Sequence, residues 1–225
     1  MKRRKNYWFA MPLAIIFASG CVSVRSADPI EATVVDSQTG EPIAGVVVVA
    51  HWQLRTGGFP ETQEGGQLEV QESVSDPDGK IRFPGFSSRV VAEQLDRDAD
   101  PELILFKPGY LPDMVGTGPY ETPRRKNFKG AQLTLTKIDS NEPRFKDAFS
   151  ATRMRVRYMS THPSTPCEWK RIPRMIATLR QQQKLERQQG IVSSGLYDEL
   201  IANEEGQHEF GCGSVKEFFS KEHIE

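Results

Sequence analysis

The sequence is short of the residues from which most catalytic centres are built. Only four histidines occur in 225 residues, His51, His162, His208 and His223. None opens an H-x-x-E or H-E-x-x-H pattern, which excludes a zinc protease centre. A serine-hydrolase elbow, G-x-S-x-G, is missing, since Gly190-Ile-Val-Ser193-Ser-Gly195 has a different register. There is no phosphate-binding glycine loop. An excess of charge of one sign is absent too. Lys and Arg number 29 against 30 Asp and Glu, a formal net charge of -1, so no field draws a nucleic-acid partner. Nor does any apolar run reach the ~20 residues that span a bilayer. What is present, 37% hydrophobic and 26% charged residues, is enough to bury a core and argues against disorder or a fibre. The length suits one ordinary domain with an appendage.

Lys2, Arg3, Arg4 and Lys5 precede an apolar run over 7–18, the layout of a secretory signal. Ala18-Ser19-Gly20-Cys21 follows, and two small residues directly before a cysteine resemble the lipobox of bacterial lipoproteins. Pro12 interrupts the apolar run, and Ala18 stands where that family more often has Leu. The resemblance implies that Cys21 is alkylated by a diacylglycerol, that the chain is cut before it, and that the new amino group is acylated. Several acyl chains account for stable anchoring where one does not. An ordinary cleaved signal with a chance cysteine is the alternative. Loss of residues 1–20 leaves 25 bases against 30 acids, a mildly acidic mature chain. Val22 and Ser23 lack the aspartate that in enteric-type lipoproteins favours inner-membrane retention. The resemblance therefore implies a lipid-anchored envelope protein on the outer membrane, facing the periplasm, with the membrane as its first partner.

With Cys21 assigned to lipid, Cys167 and Cys212 remain as an even pair in an oxidising compartment, where a disulfide is expected. Closing the 44 intervening residues contributes roughly 3 to 5 kcal/mol in the loop-entropy account. The rival is a metal site on His208 and Cys212, at i and i+4, joined by His162 or His223. The spacing does not demand it, and no metal or other cofactor is expected.

From residue 29 the sequence reads as short strands, at 30–35, 46–52, 68–74, 80–83, 102–106 and 131–136, separated by Gly and Pro turns. No amphipathic helices intervene, which argues against a parallel sheet. Ala32-Thr-Val-Val-Asp-Ser-Gln-Thr-Gly-Glu-Pro-Ile-Ala-Gly-Val-Val-Val-Val49, then Ser75-Asp-Pro-Asp-Gly79-Lys-Ile-Arg-Phe83 and Phe106-Lys-Pro-Gly109-Tyr110, resemble the carboxypeptidase regulatory-like domain. The resemblance covers roughly 29–138 and implies a seven-stranded transthyretin-like sandwich. Gly40 and Gly45 suit a hairpin and a strand entry, and Asp78-Gly79 a tight turn. The stretch between Leu54 and Gly66 departs from the compact pattern and is expected to be a mobile surface loop. The sandwich also resembles transthyretin-related hydrolases of urate breakdown. Those enzymes end in Tyr-Arg-Gly-Ser and use paired histidines, whereas this sequence ends in Lys-Glu-His-Ile-Glu.

Beyond residue 140 the period changes. Phe145, Phe149, Thr152, Val156 and Met159 recur at spacings of three and four, one apolar stripe along a helix, with Arg153, Arg155 and Arg157 off it. Thr165-Pro-Cys-Glu168 is a capping box, so a second helix is expected from there. Its stripe is Trp169, Ile172, Ile176 and Leu179, with a kink at Pro173 and a stop at Gly190. A short helix is expected over 195–205, and Ser214-Val-Lys-Glu217 is another capping box. Residues 141–190 hold eleven bases against four acids, and 191–225 two against eight, so the acidic helices should fold back on the basic one. A sharper reading makes the basic stretch a surface for anionic lipid or lipopolysaccharide.

The fold class is therefore α+β: a signal over 1–20, a linker over 21–28, an antiparallel transthyretin-like sandwich over 29–138, and a small helical tail over 139–225. Asp76 and Asp78 form an Asp-x-Asp-Gly turn that could offer two carboxylates to calcium. A full site needs about six oxygens, which favours a plain turn. His51 beside Trp52 is expected on the exposed face of a strand whose Trp is core. No catalytic residue is assigned. The expected role is a non-catalytic envelope lipoprotein that binds or scaffolds an envelope protein or glycan. The alternative is a small hydrolase or glycan-active accessory enzyme using His51 or His162 with nearby carboxylates.

Overall fold

Alternation of apolar with polar residues makes strands, and a sheet with a single core keeps one face for solvent. Here the central strand breaks that rule. In a computed structural model of the chain, the described residues are 22–56, 63–91, 101–116, 128–161, 165–188, 190, 195–204 and 209–221. They form nine strands: β1 Val22–Ala27, β2 Ile30–Asp36, β3 Val47–Thr56, β4 Gln63–Val74, β5 Lys80–Phe83, β6 Phe86–Val91, β7 Glu102–Phe106, β8 Asp113–Val115 and β9 Ala131–Leu135. Four α-helices follow, α1 Pro143–Ser160, α2 Pro173–Gln188, α3 Leu196–Ala202 and α4 Val215–Lys221, with a 3-10 turn, Glu168–Arg171, between the first two. The architecture is α+β.

The strands make a three-stranded sheet in the order β5-β2-β9, a four-stranded sheet in the order β4-β3-β7-β8, and a separate ribbon, β1-β6. Neighbours are antiparallel except β2 and β9, the one parallel pair among the described residues. One apolar core lies between the two larger sheets. It joins Ile30, Ala32 and Val34 of β2, Ile81 and Phe83 of β5 and Leu133 of β9 to Val48, Ala50 and Trp52 of β3 and Leu103 and Leu105 of β7. A second core lies on the other face of the four-stranded sheet. There Val47, Val49, Val70, Ile104 and Phe106 meet Phe145, Phe149, Val156, Met159, Trp169, Ile172, Ile176 and Leu179 of the helical region. Consecutive residues of β3 from Val47 to Trp52 are therefore all buried, which is why it reads as a β-branched run rather than an alternation.

Several expectations change. The segment read as a linker, 21–28, contains β1, paired along its length with β6. The Val22-Ser23-Val24-Arg25 alternation is too short to announce a strand before Ser26, and the pairing with β6 shows it. The two ends of the stretch read as a mobile loop between Leu54 and Gly66 extend the β3-β4 hairpin, with Arg55 opposite Glu64 and Thr56 opposite Gln63. Register shifts after Trp52 and after Leu54 mark bulges there, which blur the two-residue period. Residues 57–62 lie outside the described residues. In the tail, Pro173 does not kink a helix but opens one. The preceding capping-box segment forms only the 3-10 turn, and α2 begins at the proline, where a missing N–H costs no hydrogen bond.

The rest of the tail follows the sequence closely. Phe145, Phe149, Thr152, Val156 and Met159 are all buried along α1. Cys167 and Cys212 form a disulfide that ties the 3-10 turn to the segment leading into α4. Among the described residues, ion pairs join the basic and acidic halves. Arg157 Nε lies 2.8 Å from Glu199 Oε2, and Arg187 pairs with Asp198. Arg180 lies over the Tyr197 ring at 3.8 Å, a cation-π contact between α2 and α3. Among the described residues no helix is long and apolar enough to cross a membrane.

Candidate functional site

The inner surface of the helical layer carries polar groups that the apolar stripes did not reveal. On β3, Val47, Val49 and His51 share the face turned to the helices, opposite Val48, Ala50 and Trp52. His51 is 1% exposed, not on an open face as expected. The expectation failed because it allowed the sheet one core. Across the ladder His51 is in register with Glu102 of β7. Its Nδ1 lies 3.9 Å from Glu102 Oε2, and Arg155 of α1 donates from Nε to that oxygen at 2.5 Å. Burial pushes the Glu102 carboxyl up, but the interaction with His51 and the charge and hydrogen bond of Arg155 outweigh it and hold it below its ordinary value. The side chains of Glu102 and Arg155 keep only 15% and 22% of their surface.

Backbone shape helps to place the carboxylate. Gly116 follows β8 with φ 143°, and a Cβ there would stand 2.8 Å from the Glu102 Cα. Only a residue without a side chain lets the chain pass so close. Arg155 continues outward over the Tyr158 ring at 5.6 Å. Three elements, β3, β7 and α1, thus converge on one ionised oxygen. This geometry fixes the helix to the sheet, and the imidazole it holds is enclosed.

A second carboxylate does similar work at the other helix. Glu72 of β4 accepts hydrogen bonds from the backbone N–H groups of Met175, at 2.7 Å, and Arg174, at 3.1 Å. These are donors that the first turn of α2 cannot use internally, so a strand supplies the cap. Burial, the largest influence, raises the Glu72 pKa to about 7 against the opposing pull of those two bonds and of the Arg174 charge. Further along the same strand, Gln67 Nε2 donates to the Met159 carbonyl at 2.8 Å and to Thr165 Oγ1 at 2.9 Å. Arg171 bridges Glu69 of β4 and Glu168 of its own turn. Burial, ahead of the lowering by Arg171 and the raising by Glu69, pushes the Glu168 carboxyl up. The contacts that tie helices to strands were not legible in the sequence, because they join residues 53 to 103 positions apart.

The candidate residues read from the sequence do not come together in one place. Asp76 Oδ1 accepts from the backbone N–H groups of Asp78 and Lys80, at 3.0 and 2.9 Å, closing the turn that Gly79 completes. The Asp78 carboxylate faces Lys80 Nζ at 3.3 Å. A Cβ on Gly79 would lie 2.5 Å from the Val34 carbonyl oxygen, which accounts for glycine there. Among the described residues no three His, Cys, Asp or Glu side chains group as a metal site requires. Cys212 is held by the disulfide to Cys167. Cys21, His162, His208 and His223 lie outside the described residues.

No protein-family model matches this sequence, and no curated protein matches it. Among solved structures, the chain is similar to 3-chlorocatechol 1,2-dioxygenase from Rhodococcus opacus 1CP, with 18% identity over 49% of this chain and 59% of that one. The TM-score of that superposition is 0.28, too low to bear on fold or chemistry.

Proposed function

We propose that this chain is a non-catalytic, lipid-anchored protein of the cell envelope, a rigid platform that binds or scaffolds an envelope protein or glycan. Its two larger sheets are read as a transthyretin-like sandwich of the carboxypeptidase regulatory-like kind. The helical region is a third layer fixed to that sandwich. The anchor is Cys21, on the strength of the lipobox and the leader before it, and Val22 and Ser23 favour the outer membrane, facing the periplasm.

One observation carries the reading. The titratable side chains nearest to forming a site, His51, Glu102 and Glu72, face inward and fasten helices to the central sheet. A disulfide adds a covalent tie at the far end of the same layer. Such an arrangement resists deformation, as a scaffold needs, and function then resides in the outer surface. The test is cross-linking in intact cells followed by identification of what is joined to the chain. A reproducible envelope protein or glycan is expected. Recovery of nothing reproducible, or a measurable hydrolytic activity abolished by His51→Asn, would overturn the reading.

A further inference from the structure

We infer that the β1-β6 ribbon is a stiff stalk between the lipid anchor and the body, and that its outer end sits in the headgroup layer of the bilayer. The inference rests on the anchor at Cys21 proposed above and deepens it by naming the surface that meets the membrane.

The chain leaves no room for a tether. Val22 is both the residue after Cys21 and the first residue of β1, where it pairs with Val91 of β6. Successive Cα atoms are ~3.8 Å apart, so an acylated Cys21 lies one residue from a hydrogen-bonded ladder. The six residues of β1, at ~3.3 Å each, then carry the chain about 20 Å to the body.

An isolated two-stranded ribbon is only marginally stable in water, but this one is fixed at its base. Ala27 pairs with Phe86, and the Phe86 ring meets Trp52 edge-on at 5.0 Å. Trp52 belongs to the core between the two larger sheets, and Ala27 and Phe86 pack against that core at the base of the ribbon. Both strands pass through proline as they leave the ribbon, at Pro29 and Pro84, each with a fixed φ. Gly85 runs so close that a Cβ on it would lie 2.8 Å from the Ala27 carbonyl oxygen and 3.0 Å from Pro29 Cδ. These contacts restrict bending at this end.

Composition is graded along the ribbon. Ser26 pairs with Ser87 near the body, whereas Val22 pairs with Val91 and Ser23 with Val90 near the anchor. Between them Val24, 64% exposed, pairs with the exposed Arg89, and Arg25 follows. In sequence, valines stand at the end beside the anchor with Arg25 and Arg89 next along the pairing, a composition that suits the boundary between acyl chains and phosphates. There each base near an anionic surface contributes about 1 kcal/mol. With the ribbon fixed to both anchor and body, the molecule has a defined orientation. The Asp36–Glu41 turn, at the far end of β2 from the ribbon, points away from the membrane.

The test uses the full acylated chain, disulfide intact, in vesicles of phosphatidylethanolamine and phosphatidylglycerol. Fluorophores are placed singly by Val24→Cys, Arg89→Cys or Thr39→Cys, all exposed positions, and read against a nitroxide quencher carried on the lipid. Labels at 24 and 89 should be quenched several-fold more than the label at 39. An insert of about a dozen Gly and Ser residues between Cys21 and Val22 should abolish that difference. Either ribbon position serves if the other variant does not fold. Acylated protein with both ribbon labels unquenched, or with position 39 quenched equally, overturns the stalk while leaving the anchor standing. Protein without acyl chains on Cys21 by mass spectrometry overturns the anchor and the stalk with it.

Discussion

Arg155→Ala should weaken the molecule far more than removal of a surface arginine, and the loss should shrink in acid. Arg155 reaches from α1 to the Glu102 oxygen that also faces His51, with both side chains of the ion pair mostly out of water. Removing one partner of a fully buried pair costs 3–5 kcal/mol, and residual solvent around both groups reduces this to about 2–4 kcal/mol. The pH dependence follows from the depressed pKa of Glu102. A carboxyl held below its ordinary value in the folded chain adds stability above the unfolded value of 4.5, and that stability is lost as pH falls through the folded value. In Arg155→Ala the lowering by the Arg155 charge and hydrogen bond is lost, while that by His51 remains. Urea unfolding of wild type and variant at pH 7 and at pH 3 should therefore give a larger difference at the first than at the second. Glu102→Gln combined with Arg155→Ala should recover part of the loss, since no buried charge is then stranded. A variant within about 0.5 kcal/mol of wild type at pH 7, the range of ordinary surface changes, would refute the reasoning, as would a loss independent of pH.

Glu72 has the opposite sign. Its pKa of about 7 exceeds the ordinary carboxyl value of 4.5, so its penalty is absent below 4.5 and complete above 7. Between pH 5 and 8, where Glu102 stays charged, wild-type stability should fall by up to about 3 kcal/mol, and Glu72→Gln should flatten that slope in the same urea titration. Replacing Cys167 and Cys212 by Ser should lower stability by roughly 3 to 5 kcal/mol, and dithiothreitol should then have no further effect on the unfolding midpoint. Trp169→Ala, which empties the centre of the second core where Trp169 meets Phe218 and Phe219, should cost about 3–5 kcal/mol by thermal unfolding.

What the sequence disclosed, and what it hid, follows from the range of the interactions. The α1 stripe of Phe145, Phe149, Thr152, Val156 and Met159 was legible because its period is local, and every member is buried. The strands β5 and β7 were legible at both ends because turns and prolines bound them. The burial of His51 was not, since it depends on a helical layer more than ninety residues later covering a face that an ordinary sandwich leaves to solvent. The same distance hid Glu72 as a helix cap and Arg155 as the partner of Glu102. Pro173 was ambiguous for a different reason. Proline fits both a kink and a first turn, and only the packing of Trp169 and Ile172 ahead of it decides that α2 starts there. The β1 strand was hidden by the shortness of its alternation over 22–25, and its pairing with β6 became visible only in three dimensions.

The most direct measurement is the mass of the N-terminal peptide of the chain purified from the membranes of its own cells. It should begin at Cys21, carry a thioether-linked diacylglycerol and an acylated amino group, and shift to the unprocessed leader in Cys21→Ser. A peptide that begins elsewhere, or a Cys21 without lipid, would contradict the envelope assignment on which the proposed role depends.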